Sequence, residues 1–124
     1  MEKVLFITGA SSGIGRATAI AAIDSGWKLG LMARREDALI ALRDNLGTDN
    51  VEICIGDATQ LASQSSAVEQ VVERFGRLDA AFANAGVGIN TPGTENGDPE
   101  EWARMLAINI NGVLWTAKAT LPHL

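Results

Sequence analysis

Short runs of consecutive apolar residues alternate with segments in which apolar side chains recur every three or four positions. Such continuous runs are typical of strands buried on both faces of a parallel sheet. The runs cover residues 3–8, 28–33, 51–56 and 78–83. The helical period covers residues 14–25, 35–46, 67–75 and a longer segment, 98–121. The pattern therefore predicts four strands, each followed by a helix.

Glycines and a proline mark several of the predicted helix boundaries. Gly26 and Gly47 stand where helices commonly end in a left-handed residue. At the start of the last helix, Asp98 is a favourable N-cap and Pro99 fits the first turn. These signals support separate strand–helix units rather than one long amphipathic segment.

Strands that alternate with helices form a parallel sheet with right-handed crossovers and helices on both faces. No repeat, linker or low-complexity tract interrupts the alternation, and a chain of 124 residues suffices for one domain. We therefore expect an α/β fold of the Rossmann type, a doubly wound parallel sheet whose first four strands lie in the order 3-2-1-4. Residues 1–124 are predicted to form a single, partial domain.

The last predicted helix carries an apolar face. Its members are Trp102, Met105, Leu106, Ile110, Val113, Leu114 and Ala117. Asn109 follows Trp102 by seven residues, so we expect it on the same face, buried, where its amide needs partners. Four strands offer this face little cover, and the fourth strand has an open edge. We therefore expect the chain to self-associate through both surfaces.

Composition and charge exclude several partners. A formal net charge of -5 disfavours nucleic acids and anionic membranes. No apolar stretch reaches the roughly 18 residues of a membrane span, and no residues have metal-ligand spacing.

Cys54 is the single cysteine and lies within a strand-like run, which predicts a buried thiol. No leader-like segment precedes the first strand, so the sequence predicts a cytoplasmic protein.

The turn between the first strand and the first helix reads TGASSGIG. Gly9 allows a tight turn, Gly13 lets the backbone approach a pyrophosphate, and Gly15 lets the helix pack closely on the strand. The N–H groups at a helix N-terminus attract an anion, and the serine hydroxyls add donors. A glycine-rich turn without a ligand is the alternative. The residues expected to hold the phosphates of a dinucleotide are Gly9, Ser11, Ser12, Gly13, Ile14 and Gly15.

The spacing G-x-x-x-G-x-G resembles that of the short-chain dehydrogenase/reductase family. Three further matches follow in the family's order: GDAT at 56–59, NAG at 84–86 and NINGV at 109–113. The resemblance runs from residue 3 to residue 124. It implies an oxidoreductase that transfers a hydride between nicotinamide and a small carbonyl or alcohol substrate. It also implies a homo-oligomer.

The end of the second predicted strand bears on the choice of cofactor. An acidic residue there would bind the ribose hydroxyls of NAD, but Ala33 occupies the position and Arg34 and Arg35 follow. A guanidinium group pairs well with a phosphate. Two cations at a helix N-terminus oppose the helix dipole, and this unfavourable arrangement is easier to understand if an anion binds there. The resemblance also implies NADP, so we expect NADPH rather than NADH; two surface arginines are the alternative.

Two further motifs receive roles from the resemblance. Asp57, beside Ala58, is implied to accept a hydrogen bond from the adenine amino group, and an aspartate that only stabilises a turn is the alternative. Asn84, Ala85 and Gly86 are implied to form the floor under the adenosine ribose and to brace the central sheet.

Asn109 is the candidate catalytic residue. In the family that the chain resembles, the matching asparagine completes a proton relay through water to a lysine; an asparagine that kinks the helix is the alternative. The family's serine and Tyr-x-x-x-Lys motif are absent, and the 124 residues contain no tyrosine. We therefore expect a truncated, NADP-dependent oxidoreductase that is inactive alone, because a general acid contributes roughly 10²–10⁴-fold to the rate.

Two other classes of protein fit the same pattern. One is a non-catalytic module that binds NADP. The other is an interaction protein that docks through residues 98–121, with Trp102 and Trp115 as aromatic anchors.

Overall fold

The computed structural model describes residues 2–88 and 93–124. The strands are β1 (Val4–Thr8), β2 (Lys28–Ala33), β3 (Val51–Ile55) and β4 (Ala80–Phe82). The helices are α1 (Gly13–Asp24), α2 (Glu36–Leu46), α3 (Leu61–Phe75), α4 (Pro99–Leu106) and α5 (Gly112–Thr120). A π-helical segment, Ala107–Asn111, joins α4 to α5.

The four strands form a parallel sheet in the order β3-β2-β1-β4, which confirms the predicted order. Phe6 in the middle of β1 pairs with Gly30 of β2 and with Ala81 of β4. Because all four strands are parallel, their carboxyl ends meet at one edge of the sheet, where ligands bind in open α/β sheets.

Each face of the sheet has its own core. Helices α1 and α2 cover one face, where Ile7, Leu29 and Leu31 of the sheet are fully buried. Helices α3 and α5 cover the other face, where Val4 and Phe6 of β1 are buried. Along β1 these two residues alternate with residues that point to the α1–α2 face. The side chain of Val71 in α3 fills the space that a Cβ at Gly30 would need, so α3 packs directly on the backbone of β2.

Helix α3 begins at Leu61, six residues before the predicted start at residue 67. The first turns of α3, LASQSS, lack the apolar period that marks the rest of the helix. They are held instead by polar contacts, chiefly those of the buried Gln64. Hydrophobic periodicity cannot detect such a segment.

The predicted helix 98–121 is interrupted by the π-helical segment, and much of its apolar face is exposed, as expected for a face with little cover. Four members of that face, Leu106, Ile110, Val113 and Leu114, are 41–56% exposed, whereas Trp102 and Met105 are half-buried. The residues of α5 that are buried instead are Gly112, Thr116, Ala119 and Thr120. Small side chains allow the close contact that α5 makes with α3.

Asn109 lies in the π-helical segment and is exposed, so the expectation of a buried Asn109 is wrong. Its amide nevertheless has partners in a neighbouring loop, described below. None of the helices in residues 2–88 and 93–124 is both long and apolar enough to cross a membrane.

Candidate functional site

A cavity of about 370 Å³ opens at the carboxyl ends of the strands. Every residue predicted to bind the cofactor lines this cavity except Gly15, whose place is in the packing behind it. The sequence analysis gave no role to several further lining residues, namely Thr8, Met32, Gly56, Val87 and Ile108. Most of them sit at or just beyond the carboxyl end of a strand, and that position is the signal that could have found them.

The glycines of the first loop differ in their surroundings. Gly9 and Gly13 both have left-handed backbones, with φ of +66° and +57°. A Cβ at Gly9 would lie 2.8 Å from Cα of Ala85, whereas a Cβ at Gly13 would meet nothing within 4 Å. A Cβ at Gly15 would lie 2.5 Å from the side-chain nitrogen of Asn84. Gly9 and Gly15 therefore serve close packing, and Gly13 leaves open space beside the cavity.

Thr8 and Asn84 tie the ends of β1 and β4 together. The buried hydroxyl oxygen of Thr8 accepts hydrogen bonds from the backbone N–H groups of Asn84 and Ala85, at 3.1 and 3.0 Å. The side-chain amide of Asn84 donates to the carbonyls of Thr8 and Gly9, both at 3.2 Å. These four bonds fix the glycine loop against the loop that follows β4.

Arg34 and Arg35 line the side of the cavity beyond β2. Arg35 directly precedes α2 and pairs with Asp37 of its first turn, at 3.3 Å, and both side chains are exposed. The backbone N–H of Ala38 lowers the pKa of Asp37, and Arg35 lowers it further. The acidic residues Glu36 and Asp37 therefore offset the cations at this helix end, and this weakens the argument that the arginines point to a bound anion.

Asp57 is held in a turn at the end of β3. One carboxylate oxygen, Oδ1, accepts from the backbone N–H and from the hydroxyl of Thr59, at 2.9 and 2.8 Å. The N–H of Thr59 contributes most to lowering the pKa of Asp57, and the positive charges of Arg34 and Arg104 lower it further. Asp57 is thus an ionised carboxylate at the cavity wall, and the turn role foreseen as the alternative is present.

Asn109 is exposed and is not among the residues that line the cavity. Its Oδ1 accepts from the backbone N–H of Val87, and its Nδ2 donates to the carbonyl of the same residue, both at 2.8 Å. The neighbouring Ile108 is the residue of this segment that lines the cavity. Asn109 therefore attaches the loop after β4 to the π-helical segment.

Among the described residues, neither Cys54 nor a set of metal ligands adds a reactive group to the cavity. Cys54 is buried as predicted, and its burial raises the pKa of the thiol to about 12. Within the part of the chain that the structure describes, no group of histidine, cysteine and carboxylate side chains could hold a metal ion.

The strand order, the crossovers and the glycine-rich turn define a Rossmann-type α/β protein. A model of the short chain dehydrogenase family matches residues 3–124, and the chain belongs to that family. Members of this family bind NAD or NADP.

Two curated relatives illustrate the similarity. The chain is 41% identical over 123 residues to an uncharacterized oxidoreductase of Listeria monocytogenes, covering 98% of this chain and 49% of the relative. It is 33% identical over 125 residues to sulfoacetaldehyde reductase 2 of Chromohalobacter salexigens, covering 100% of this chain and 50% of the relative. The chain therefore spans about half the length of the curated relatives it matches.

Two solved structures also match this chain over about half of their own length. A short-chain dehydrogenase/reductase from Brucella melitensis, described as a glucose/ribitol dehydrogenase, superimposes with a TM-score of 0.94 at 31% identity. That match covers 100% of this chain and 54% of the other. A 3-ketoacyl-(acyl-carrier-protein) reductase from the same organism, complexed with NADH, gives a TM-score of 0.93 at 30% identity, with coverages of 98% and 50%.

Proposed function

We propose that this chain binds NADP(H) in the cavity and is the cofactor-binding part of an oxidoreductase. The whole enzyme would transfer a hydride between nicotinamide and a small carbonyl or alcohol substrate. One observation carries the proposal: a single cavity joins the open glycine loop at the N-terminus of α1 to Arg34 and Arg35 beyond β2. NADP carries a pyrophosphate and a 2′-phosphate, so its binding needs anion-binding groups at both of these places.

The glycine loop suits a pyrophosphate. The open space at Gly13 would admit phosphate oxygens that a Cβ would displace. Ser12 is the N-cap of α1, yet its side chain makes no capping hydrogen bond, so the hydroxyl is available to a ligand. The first N–H groups of α1, a helix of 12 residues, would add donors and a positive field.

The far end of the cavity suits the 2′-phosphate of NADP. Ala33 brings no negative charge to the place where an acidic residue would favour NAD. Arg35 is already paired with Asp37, so Arg34 is expected to contribute most to phosphate binding. Oδ1 of Asp57 is used by Thr59, and the other oxygen, Oδ2, would accept from the adenine amino group beside Ala58. Asn84, Ala85 and Gly86 would lie under the adenosine ribose.

The bound nicotinamide would supply or accept the hydride. The contribution of Asn109 would be to hold Val87 and the cavity wall, and through this wall to position a proton relay. The 124 residues contain no tyrosine, so the acid of such a relay is missing from them. We therefore expect no steady NADPH oxidation with a simple ketone above the rate without protein, and turnover of this chain alone would contradict the proposal.

Titration with NADPH and NADH tests the cofactor assignment. Wild type should bind NADPH more tightly, and Arg34→Ala should weaken NADPH binding by on the order of 1.5–3 kcal/mol, the scale of a hydrogen bond to a charged group. NADH affinity should change much less. Arg43→Ala is the matched control, because Arg43 pairs with Asp44 near the other end of α2. Equal affinity of wild type for the two cofactors would overturn the preference for NADP.

A second candidate function is docking of a partner through α4 and α5, with or without bound cofactor. The observation that favours it is the exposed apolar surface formed by Leu106, Ile110, Val113 and Leu114. A folded chain that fails to bind either dinucleotide would favour this candidate over the oxidoreductase.

A further inference from the structure

The side chain of Gln64 in α3 is fully buried and makes three hydrogen bonds. Its side-chain nitrogen donates to the carbonyls of Ala58 and Gly112, both at 2.9 Å. Its side-chain oxygen accepts from the hydroxyl of Thr116 at 2.6 Å. Two carbonyl partners on one atom require the NH₂ group there, so the partners themselves fix the orientation of the amide.

The two carbonyl partners belong to different walls of the cavity. Ala58 lines the cavity and follows Asp57 in the loop after β3. Gly112 is the first residue of α5 and directly follows the π-helical segment, whose Ile108 lines the cavity from another side. The two walls also approach each other here, since a Cβ at Gly112 would lie 3.3 Å from the carbonyl oxygen of Ala58.

We propose that Gln64 is a positioning residue that sets the separation between the Asp57–Ala58 wall and the Ile108 wall. The gap between these walls then forms a rigid slot for a flat base, the adenine ring of the cofactor. This inference rests on the proposed function, because it needs a dinucleotide in the cavity.

A polar side chain is required for this role. An apolar residue of the same volume would fill the space between α3 and α5 but would not bond to either wall. A buried amide that is fully paired fixes its partners in one arrangement, whereas a partly paired one is unfavourable. Preformed walls bind a ligand more tightly and more selectively, because less ordering remains to be done on binding.

Two variants separate positioning from stability. Gln64→Met keeps the shape of the side chain and removes both bonds to the walls. Thr116→Val removes the bond to the amide oxygen and the contact of the same hydroxyl with the Gly112 carbonyl at 3.0 Å, and it leaves both bonds from Gln64 to the walls in place. Each variant leaves buried polar atoms without a partner, so the two should lose similar amounts of stability.

The first readout is the discrimination between NADP⁺ and its 1,N⁶-ethenoadenine analogue, whose base is wider. Wild type should prefer NADP⁺, and Gln64→Met should reduce this preference roughly fivefold, the equivalent of one hydrogen bond. Thr116→Val should leave the preference within about twofold of wild type. A structural role alone would weaken both ligands equally, so an unchanged ratio in Gln64→Met would overturn the inference while the proposed function stands.

The second readout needs no cofactor. Hydrogen exchange should quicken in Gln64→Met at both walls, residues 57–60 and 107–113, and in Thr116→Val it should quicken less in residues 57–60. If wild type binds no dinucleotide, the proposed function fails. The exchange experiment still tests whether Gln64 holds the two cavity walls together. Faster exchange in both segments supports the role of Gln64 in holding the walls, and unchanged exchange in either segment overturns it.

Discussion

The two faces of the sheet are closed in different ways. On the α1–α2 face the buried residues are apolar, and the core runs from Ile7 and Leu31 of the sheet to Leu39 of α2. The α3–α5 face has an apolar core of its own around Phe6, but it also buries Gln64, Thr116 and Thr120. Thr120 donates its hydroxyl hydrogen to the carbonyl of Thr116 at 2.7 Å.

This difference separates stability from alignment. Apolar contacts are non-directional, so the α1–α2 face can hold α1 and α2 on the sheet without specifying the position of each polar group. Hydrogen bonds are directional, and those of the α3–α5 face reach two walls of the cavity. No buried side-chain nitrogen or oxygen among residues 2–88 and 93–124 lacks a partner, as such directional packing requires.

The largest effect should come from the apolar face. Leu31→Ala removes a fully buried side chain from the centre of the sheet and should lower the free energy of unfolding by about 2–5 kcal/mol. Ile55→Ala is the control, since Ile55 is half exposed at the end of β3 and its truncation should change stability by less than about 0.5 kcal/mol. Urea unfolding measures both. Similar losses in the two variants would mean that burial of Leu31 in the apolar core is not what stabilises the α1–α2 face.

Gly13→Val should abolish NADPH binding and leave the fold in place, because the added side chain occupies the space proposed for the pyrophosphate. The left-handed backbone at this glycine adds a strain of roughly 1–2 kcal/mol.

Gly26→Val controls for that strain. Gly26 is also left-handed, with φ of +87°, and a Cβ there meets nothing within 4 Å, but the residue does not line the cavity. The two variants should be destabilised alike, and only Gly13→Val should fail to bind in a titration. Retained NADPH affinity in folded Gly13→Val would show that the loop does not hold phosphate.

A smaller effect is expected at the outer surface of the π-helical segment and α5. Ile110 and Leu114 are 54% and 56% exposed, and covering a large apolar side chain is worth about 1.5–3 kcal/mol. Sedimentation at micromolar concentration should therefore show self-association of wild type. The double variant Ile110→Ser and Leu114→Ser should sediment as a monomer, whereas Ile55→Ser should associate as wild type does. A wild-type monomer would mean that this surface needs no cover.

The smallest effect concerns the amino ends of the strands. Asp79 accepts from the backbone N–H of Val4 at 2.8 Å and pairs with Arg77. The bond from Arg77 is the main cause that lowers the pKa of Asp79 below its ordinary value of 3.8, and the N–H of Val4 adds to it. The stabilisation by the Asp79 carboxylate is therefore fully present above pH 3.8. It is lost as the pH falls through the lower pKa that Asp79 has in the folded state. Unfolding measured between pH 2 and 5 should show a shallower acid slope for Asp79→Asn, and an unchanged slope would contradict this.

The sequence predicted those parts of the fold that depend on local chemistry. Gly9 could be assigned because a tight strand-to-helix turn needs a flexible residue. The parallel sheet follows from the alternation of strands and helices, and its strand order follows from the Rossmann type of fold. The grouping of the loops at one sheet edge followed from parallel topology. Whether the lining residues bind a cofactor stays a prediction.

What the sequence missed depends on contacts between distant residues. Gln64 meets Gly112 and Thr116, which lie 48 and 52 residues further along, and no local pattern marks such a pairing. The small residues that α5 buries against α3 were missed for a related reason, since hydrophobicity selects large residues and close helix packing selects small ones. Arg35 and Asp37 are only two residues apart in the sequence, but the prediction of an anion at the start of α2 considered only the two arginines.

Strand β1 lies between its two partners in the sheet, and this arrangement has a consequence for the order of folding. Its pairing with β2 closes a loop of about 24 residues, as in Val4 with Lys28, whereas its pairing with β4 joins Leu5 to Ala80. The bonds at both ends of β4 also span 75 residues or more. Loop closure is slower for more distant partners. During synthesis, β1 therefore keeps one open side until residues 79–84 have emerged, and this is the interval in which a chaperone or a second chain can reach it.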